Sequence, residues 1–390
     1  MALTLRQTPI RFVIALLGVA GALSLTGCGG FFQCEGKTDC PSTGTGTTGT
    51  DSGDYAYISN NSTNADDLSV YDVSTGALNA LASSPISLDY VPNAMVMNPA
   101  STLMFVSNLT AGVINSYNVG SSGALTGGTT QVNQIVSAMA ISQDNEYLYA
   151  LDLTTGGSIL AFYSIGSNGT LTPASIPSIT LPVATSGASI AVGPNSNYLV
   201  VTLGQAGDVI VPLTNDQAST TLNPLPIPPS TTAATGDYGA AIDTTNNNVY
   251  FARTGVIAVY NIAADGSKWT SITNTTANST TGTGDHAILI AGSYLYTANY
   301  TDGTISGFSF TSAGVLTPLT GSPYAAPTLV NALGLDNTGK YIVASGYSSS
   351  AGTKLYTIGS AGALTAASVA TATGTSGANL VLIAMTQTTP

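Results

Sequence analysis

The stretch Tyr55-Ala56-Tyr57-Ile58-Ser59-Asn60 reads as a strand, rich in aromatic and β-branched residues and closed by an asparagine. Its last four positions return as Phe105-Val106-Ser107-Asn108, Tyr149-Ala150-Leu151-Asp152, Val200-Val201-Thr202-Leu203, Tyr250-Phe251-Ala252-Arg253, Tyr296-Thr297-Ala298-Asn299 and Val343-Ala344-Ser345-Gly346. Successive copies end 48, 44, 51, 50, 46 and 47 residues apart. That period is the size of a propeller blade, one four-stranded sheet per repeat.

The order inside each period repeats too. The quoted strand is followed by an alternating one, such as Leu68 to Val73, Ile114 to Val119, Ile257 to Ile262 or Ile305 to Phe310. A glycine turn into a short outer strand comes next, at Gly76, Gly123, Gly169, Gly314 and Gly362. Tight hairpins demand a positive φ there. Last is a strand of small and aliphatic residues, as in Asn93 to Met97, Ser137 to Ile141 and Ala188 to Val192. Small side chains suit the innermost position, where the blades converge. The chain begins this pattern on a second strand, Tyr55 to Asn60, and finishes on an inner one, Asn379 to Ala384. The reading is an all-β, seven-bladed β-propeller over 54–390, closed by the C-terminal inner strand completing the N-terminal blade.

Composition agrees. Only 7% of the 390 residues are charged, against roughly a quarter in an average soluble protein, and the shortfall in Glu, Lys and Arg argues against helices. The 44% apolar fraction suffices for a core, while 43 Gly and 19 Tyr suit short strands joined by tight turns. Without Arg6 and Arg11, five basic residues face 19 acidic ones, so nucleic acid is excluded as a partner on electrostatic grounds. No run of like charge marks an acidic recognition patch.

Arg6 and Arg11 precede an apolar stretch from Phe12 to Leu25, which runs into Leu25-Thr26-Gly27-Cys28. Positive residues, a short apolar segment and small residues before a cleavage point have the order of a signal peptide, residues 1–27. The Leu-Thr-Gly-Cys stretch resembles the lipobox of bacterial lipoproteins, which implies lipidation of Cys28 and, with Gly29 following, an exported lipoprotein of the outer membrane or cell surface. Cys34 and Cys40 then read as a local disulfide on the exported side. With Pro41 to Gly53, a low-complexity Gly/Ser/Thr tract, residues 28–53 form an anchor and linker.

Tyr55 to Asn60 and Tyr294 to Asn299 resemble the YVTN-type propeller repeat, and the Gly-Ala-Leu-Thr hairpins resemble those of the seven-bladed propeller lactonases, which include bacterial 6-phosphogluconolactonases. The resemblance covers 54–390 and implies either a lactone hydrolase or, since the fold hosts many functions, a binding module. Register places Asn93, Ser137, Ala188, Tyr238, His286, Asn331 and Asn379 in a ring at the channel mouth. Asp237 and Asp285 precede two of these, and Arg253 closes the second strand between them. Arg253 as oxyanion donor, His286 as base and Asp237 or Asp285 as its orienting partner form the candidate catalytic set; Tyr238, Asn93, Asn331 and Asn379 are candidate binding residues. Related lactonases carry Gly-Pro-Arg-His at the inner strand and a Glu after the Asn of the following second strand. Here Thr283-Gly284-Asp285-His286 stands at the first place and Tyr300 at the second, so the site is reduced. The expectation is therefore a non-catalytic module, monomeric, binding a small molecule, glycan or envelope protein, with a lactonase as the alternative. No zinc spacing or phosphate loop suggests a metal or cofactor. Trp269 falls where other blades have a packing Leu.

Overall fold

A computed structural model describes residues 53–62, 65–154, 157–175, 178–184, 188–228, 237–274, 281–346, 352–370 and 381–387. All lie in the second of two units into which the chain divides, residues 48–390. The signal segment, Cys28, Cys34, Cys40, the linker and Asn379 fall outside them.

Seven antiparallel sheets follow one another along the chain. Blade 1 pairs Tyr55–Ser62 with Ala65–Asp72 and takes its inner strand, Ile383–Met385, from the other end of the chain. Blades 2 to 7 begin on the inner strands Pro92–Met97, Ala138–Ile141, Ala188–Val192, Asp237–Asp243, Asp285–Ala291 and Val330–Leu335. Ring closure is as expected, with Ala56 opposite Met385 and Ile58 opposite Ile383. Tyr55 N–H donates to Thr386 Oγ1 at 2.8 Å, and Thr386 N–H returns a bond to Tyr55 O at 3.0 Å.

The core is divided into seven apolar clusters, each shared by two neighbouring blades. Strand alternation accounts for this. Tyr57 packs toward blade 2 with Met104 and Val106, whereas Ala56 and Ile58, one residue either side, pack toward blade 7 with Val343 and Leu355. The repeat tyrosines also tie blades by hydrogen bonds. Tyr57 Oη donates to Gly123 O in blade 2 at 2.8 Å, and Tyr296 Oη makes the same bond from blade 6 to Gly362 O in blade 7 at 2.6 Å. At Gly123 the φ is +74°, and an added Cβ would lie 2.7 Å from Leu81 Cδ1 and 2.9 Å from the Tyr55 ring. Turn geometry and close approach both require glycine there.

The outermost strand departs from the simple four-strand reading. In blades 1, 3, 4 and 6 it is broken into two short pieces on the same third strand, while in blades 2, 5 and 7 it is a single strand among the described residues. Proline separates the two groups. Pro85, Pro177, Pro224 and Pro323 stand between the pieces of the broken edges, and the continuous strands Leu125–Asn133, Trp269–Ile272 and Leu364–Ala370 contain none. Trp269 packs as expected, edge-on to Tyr260 with centroids 5.3 Å apart, and Nε1 donates to Pro226 O at 3.2 Å.

Candidate functional site at the channel mouth

Four of the inner strands carry a register shift near their start. Asn93 is the extra residue between Pro92 and Ala94, Tyr238 between Asp237 and Gly239, and Asn331 between Val330 and Ala332; His286 and Ala287 together oppose a single residue in blade 6. A β-bulge re-aims the side chain it carries. Four residues of the ring expected from sequence are thus bulge residues.

Two of them are clasps between blades. Asn93 Nδ2 donates to Val136 O at 2.8 Å and Asn331 Nδ2 to Val381 O at 2.7 Å. Asn331 Oδ1 is buried with no hydrogen-bond partner among the described residues.

Tyr238 and His286, on blades 5 and 6, stack with ring centroids 4.6 Å apart and planes inclined by 26°. Tyr300 packs on His286 at 4.6 Å and 42°. The imidazole is therefore held between two phenol rings. Gly239 permits this approach, because a Cβ there would lie 2.8 Å from His286 O. Burial lowers the His286 pKa from 6.5 to about 4, so the ring is neutral at physiological pH. Among the described residues no group hydrogen-bonds either ring nitrogen.

The stack borders a cavity of about 320 Å³ on the channel axis, lined also by Ser189, Gly239, Ala287, Asn331 and Leu382. Its walls are mainly small and aliphatic with a few polar groups, which is the usual character of a small-ligand site. Among the described residues no three His, Cys, Asp or Glu side chains gather as a metal site requires.

Arg253 is not part of this wall. It lies in the seam between blades 4 and 5, 8% exposed, where Nη2 faces Asp208 Oδ2 at 3.4 Å and donates to Pro228 O at 3.1 Å. Its guanidinium carbon is 5.9 Å from the Phe251 centroid and 5.8 Å from that of Tyr260. Expected beside His286, Arg253 forms an interblade ion pair with Asp208, and it is absent from the residues that line the cavity. Sequence held the signal: Val249, Phe251 and Arg253 share one face of their strand, and the first two pack toward blade 4. Asp237 and Asp285 occupy the first positions of their inner strands as expected, with side chains outside the described set. Tyr300, read from sequence as a missing carboxylate, is the residue that reasoning missed.

No family model and no curated sequence matches the chain. Solved structures do. A Bacteroides fragilis protein named a "putative 6-phosphogluconolactonase" superposes with a TM-score of 0.66 at 15% identity, over 87% of this chain and 99% of that one. The fold is lactonase-like. A periplasmic gluconolactonase from Pseudomonas aeruginosa gives 0.61 at 14% identity, over 84% and 98%. A functionally unknown protein from Desulfotomaculum acetoxidans gives 0.61 at 15%, over 86% and 100%.

Proposed function

We propose that this chain is an exported, lipid-anchored propeller that binds a small uncharged ligand at the channel mouth without converting it. The observation that carries the reading is the His286 ring, half-buried between two tyrosines beside an open cavity, with no hydrogen-bond partner among the described residues. Stacked rings with free polar edges suit a neutral compound with one flat or apolar face. Chemistry is disfavoured on two counts. A base whose pKa is about 4 accepts a proton weakly at neutral pH, and the arginine that would support an oxyanion is engaged in a seam.

Glucono-1,5-lactone is a suitable probe, since propellers of this fold include a gluconolactonase. Wild type should bind it, reported by tyrosine fluorescence, and His286→Ala should weaken binding about tenfold, while hydrolysis stays at the spontaneous rate in both. Turnover by wild type that vanishes in His286→Ala would establish the alternative, a lactone hydrolase with a reduced site. The anchoring part rests on Leu25-Thr26-Gly27-Cys28 and on the linker that follows, with Cys34 and Cys40 paired. Cys28→Ala should move the protein from the membrane fraction to the soluble one; retention of the variant in the membrane would refute lipid attachment. Outside the cytosol the ligand is a small molecule or the end of an envelope glycan, met by a monomeric propeller.

A further inference from the structure

A second cavity, of about 310 Å³, opens on blade 6. Its wall runs from buried Ser306 and Phe308 on the third strand, past Thr304 and Ser322, to exposed Asp302 and Pro323. Gly282, on the segment leading into blade 6, closes the inner side; a Cβ there would lie 2.6 Å from Asp302 Oδ2 and 2.7 Å from Asn299 Cγ. Only glycine leaves that wall in place.

The polar groups are arranged unevenly. Fully buried Asn299 donates through Nδ2 to Thr304 Oγ1 at 2.8 Å and to Ser306 Oγ at 2.9 Å, and its Oδ1 has no partner among the described residues. Ser322 Oγ accepts from Gly307 N–H at 2.9 Å. Each of these three hydroxyls uses a lone pair on the protein and keeps its hydrogen to donate elsewhere. Asp302 supplies acceptors at the rim, already receiving Thr283 N–H at 2.8 Å and Thr283 Oγ1 at 2.7 Å.

Three ligand classes can be compared. Among the described residues, an anion would meet the Asp302 carboxylate with no basic residue on the wall, and a divalent cation would find one carboxylate whose oxygens are both engaged. Hydroxyl groups fit, because each donates and accepts, matching three free donors and the acceptors around them. Phe308 and Pro323 offer apolar faces to the C–H side of such a molecule. We propose that this cavity is a second ligand site, separate from the channel mouth, for a neutral polyhydroxylated compound of the monosaccharide or polyol class.

Hydrogen exchange of the full-length protein in millimolar D-glucose tests it. Added protection is expected in peptides covering 299–308 and 318–323, unchanged in His286→Ala. Thr304→Val, which keeps the side-chain shape and removes one hydroxyl, should weaken glucose binding about tenfold. The wild-type map requires no variant to fold. Protection confined to peptides around 238–240 and 286–288, or protection nowhere, would overturn the proposal.

Discussion

Tyr57 and Tyr296 sit 239 residues apart in different blades, yet each sends its hydroxyl to the hairpin carbonyl of the next blade. The bulge at the start of the inner strand behaves in the opposite way. It bears Asn in blade 2, Tyr in blade 5, His in blade 6 and Asn in blade 7, and of these the two asparagines clasp a neighbour while Tyr238 and His286 stack beside a cavity. Seams repeat because seven interfaces must solve one packing problem. The mouth can vary because its bulge residues face the channel, and different side chains meet across the blades there: an asparagine clasp at Asn93 and Asn331, a ring stack at Tyr238 and His286. Departure from the repeat, at a position the repeat exposes, is what distinguishes a site from scaffold here.

The largest test of that contrast removes a seam. Deleting residues 382–390 takes away Ile383–Met385, the bonds between Thr386 and Tyr55, and the packing of Ala384 and Met385 in two clusters. The loss is expected to exceed about 5 kcal/mol and to be global, since blade 1 then has an open edge and two weakened seams. His286→Ala at the mouth should leave the melting midpoint within a few degrees of wild type. A truncated chain that melts like wild type would refute closure by this strand.

A subtler test uses pH, because each region holds a titratable group strongly shifted by desolvation, Asp54 at the closing seam and His286 at the mouth, and their signs oppose. Asp54, at the closing seam, is fully buried with Oδ1 accepting Asn337 N–H at 3.3 Å and Oδ2 without a donor among the described residues. Burial first, then the neighbouring Asp336 and Asp72, raise its pKa from 3.8 to about 7. Folding therefore favours the protonated form, which can donate to Asp336, and stability falls as pH rises from about 4 to 7. His286 is lowered from 6.5 to about 4, so its contribution rises with pH between those values. The two partly cancel in wild type. Asp54→Asn, whose amide replaces the proton, should raise the midpoint at pH 7 and leave a stability that climbs from pH 4 to 6.5. His286→Gln should leave one that declines from pH 4 to 7. Midpoints that run parallel to wild type in both variants would contradict these assignments.

Much of this was legible in the sequence. Seven copies of one strand and a recurring hairpin glycine yield the blade count, the closure and the ring position of His286 without coordinates. The direction of Arg253 was also legible, through its parity with Phe251, once alternation is given more weight than its place at a strand end. Two features were not. Tyr300 as a stacking partner depends on the bulge that turns His286, and a bulge leaves no residue signature. Asp54 against Asp336 pairs positions 282 residues apart that only ring closure brings together.

The smallest expected effect separates a seam that keeps the repeat from one that has lost it. Tyr149 corresponds to Tyr57, but its neighbour, blade 4, joins its outer strands by a two-residue turn, Asn215-Asp216, with φ of 51° and 59°, in place of the glycine hairpin. The carbonyl that Tyr57 finds at Gly123 is not presented there. Tyr149 Oη is buried without a hydrogen bond of normal geometry among the described residues, Ser196 being its polar neighbour. Tyr57→Phe should cost about 1–2 kcal/mol, because it strands a buried carbonyl as well as losing the bond. Tyr149→Phe should be neutral or slightly stabilising, because it deletes a buried hydroxyl that has no bond to lose. Denaturant midpoints at constant m-value decide the matter. Equal losses in the two variants would mean that Tyr149 has a partner after all, and that blade 4 had kept by another route what its shorter turn gave up.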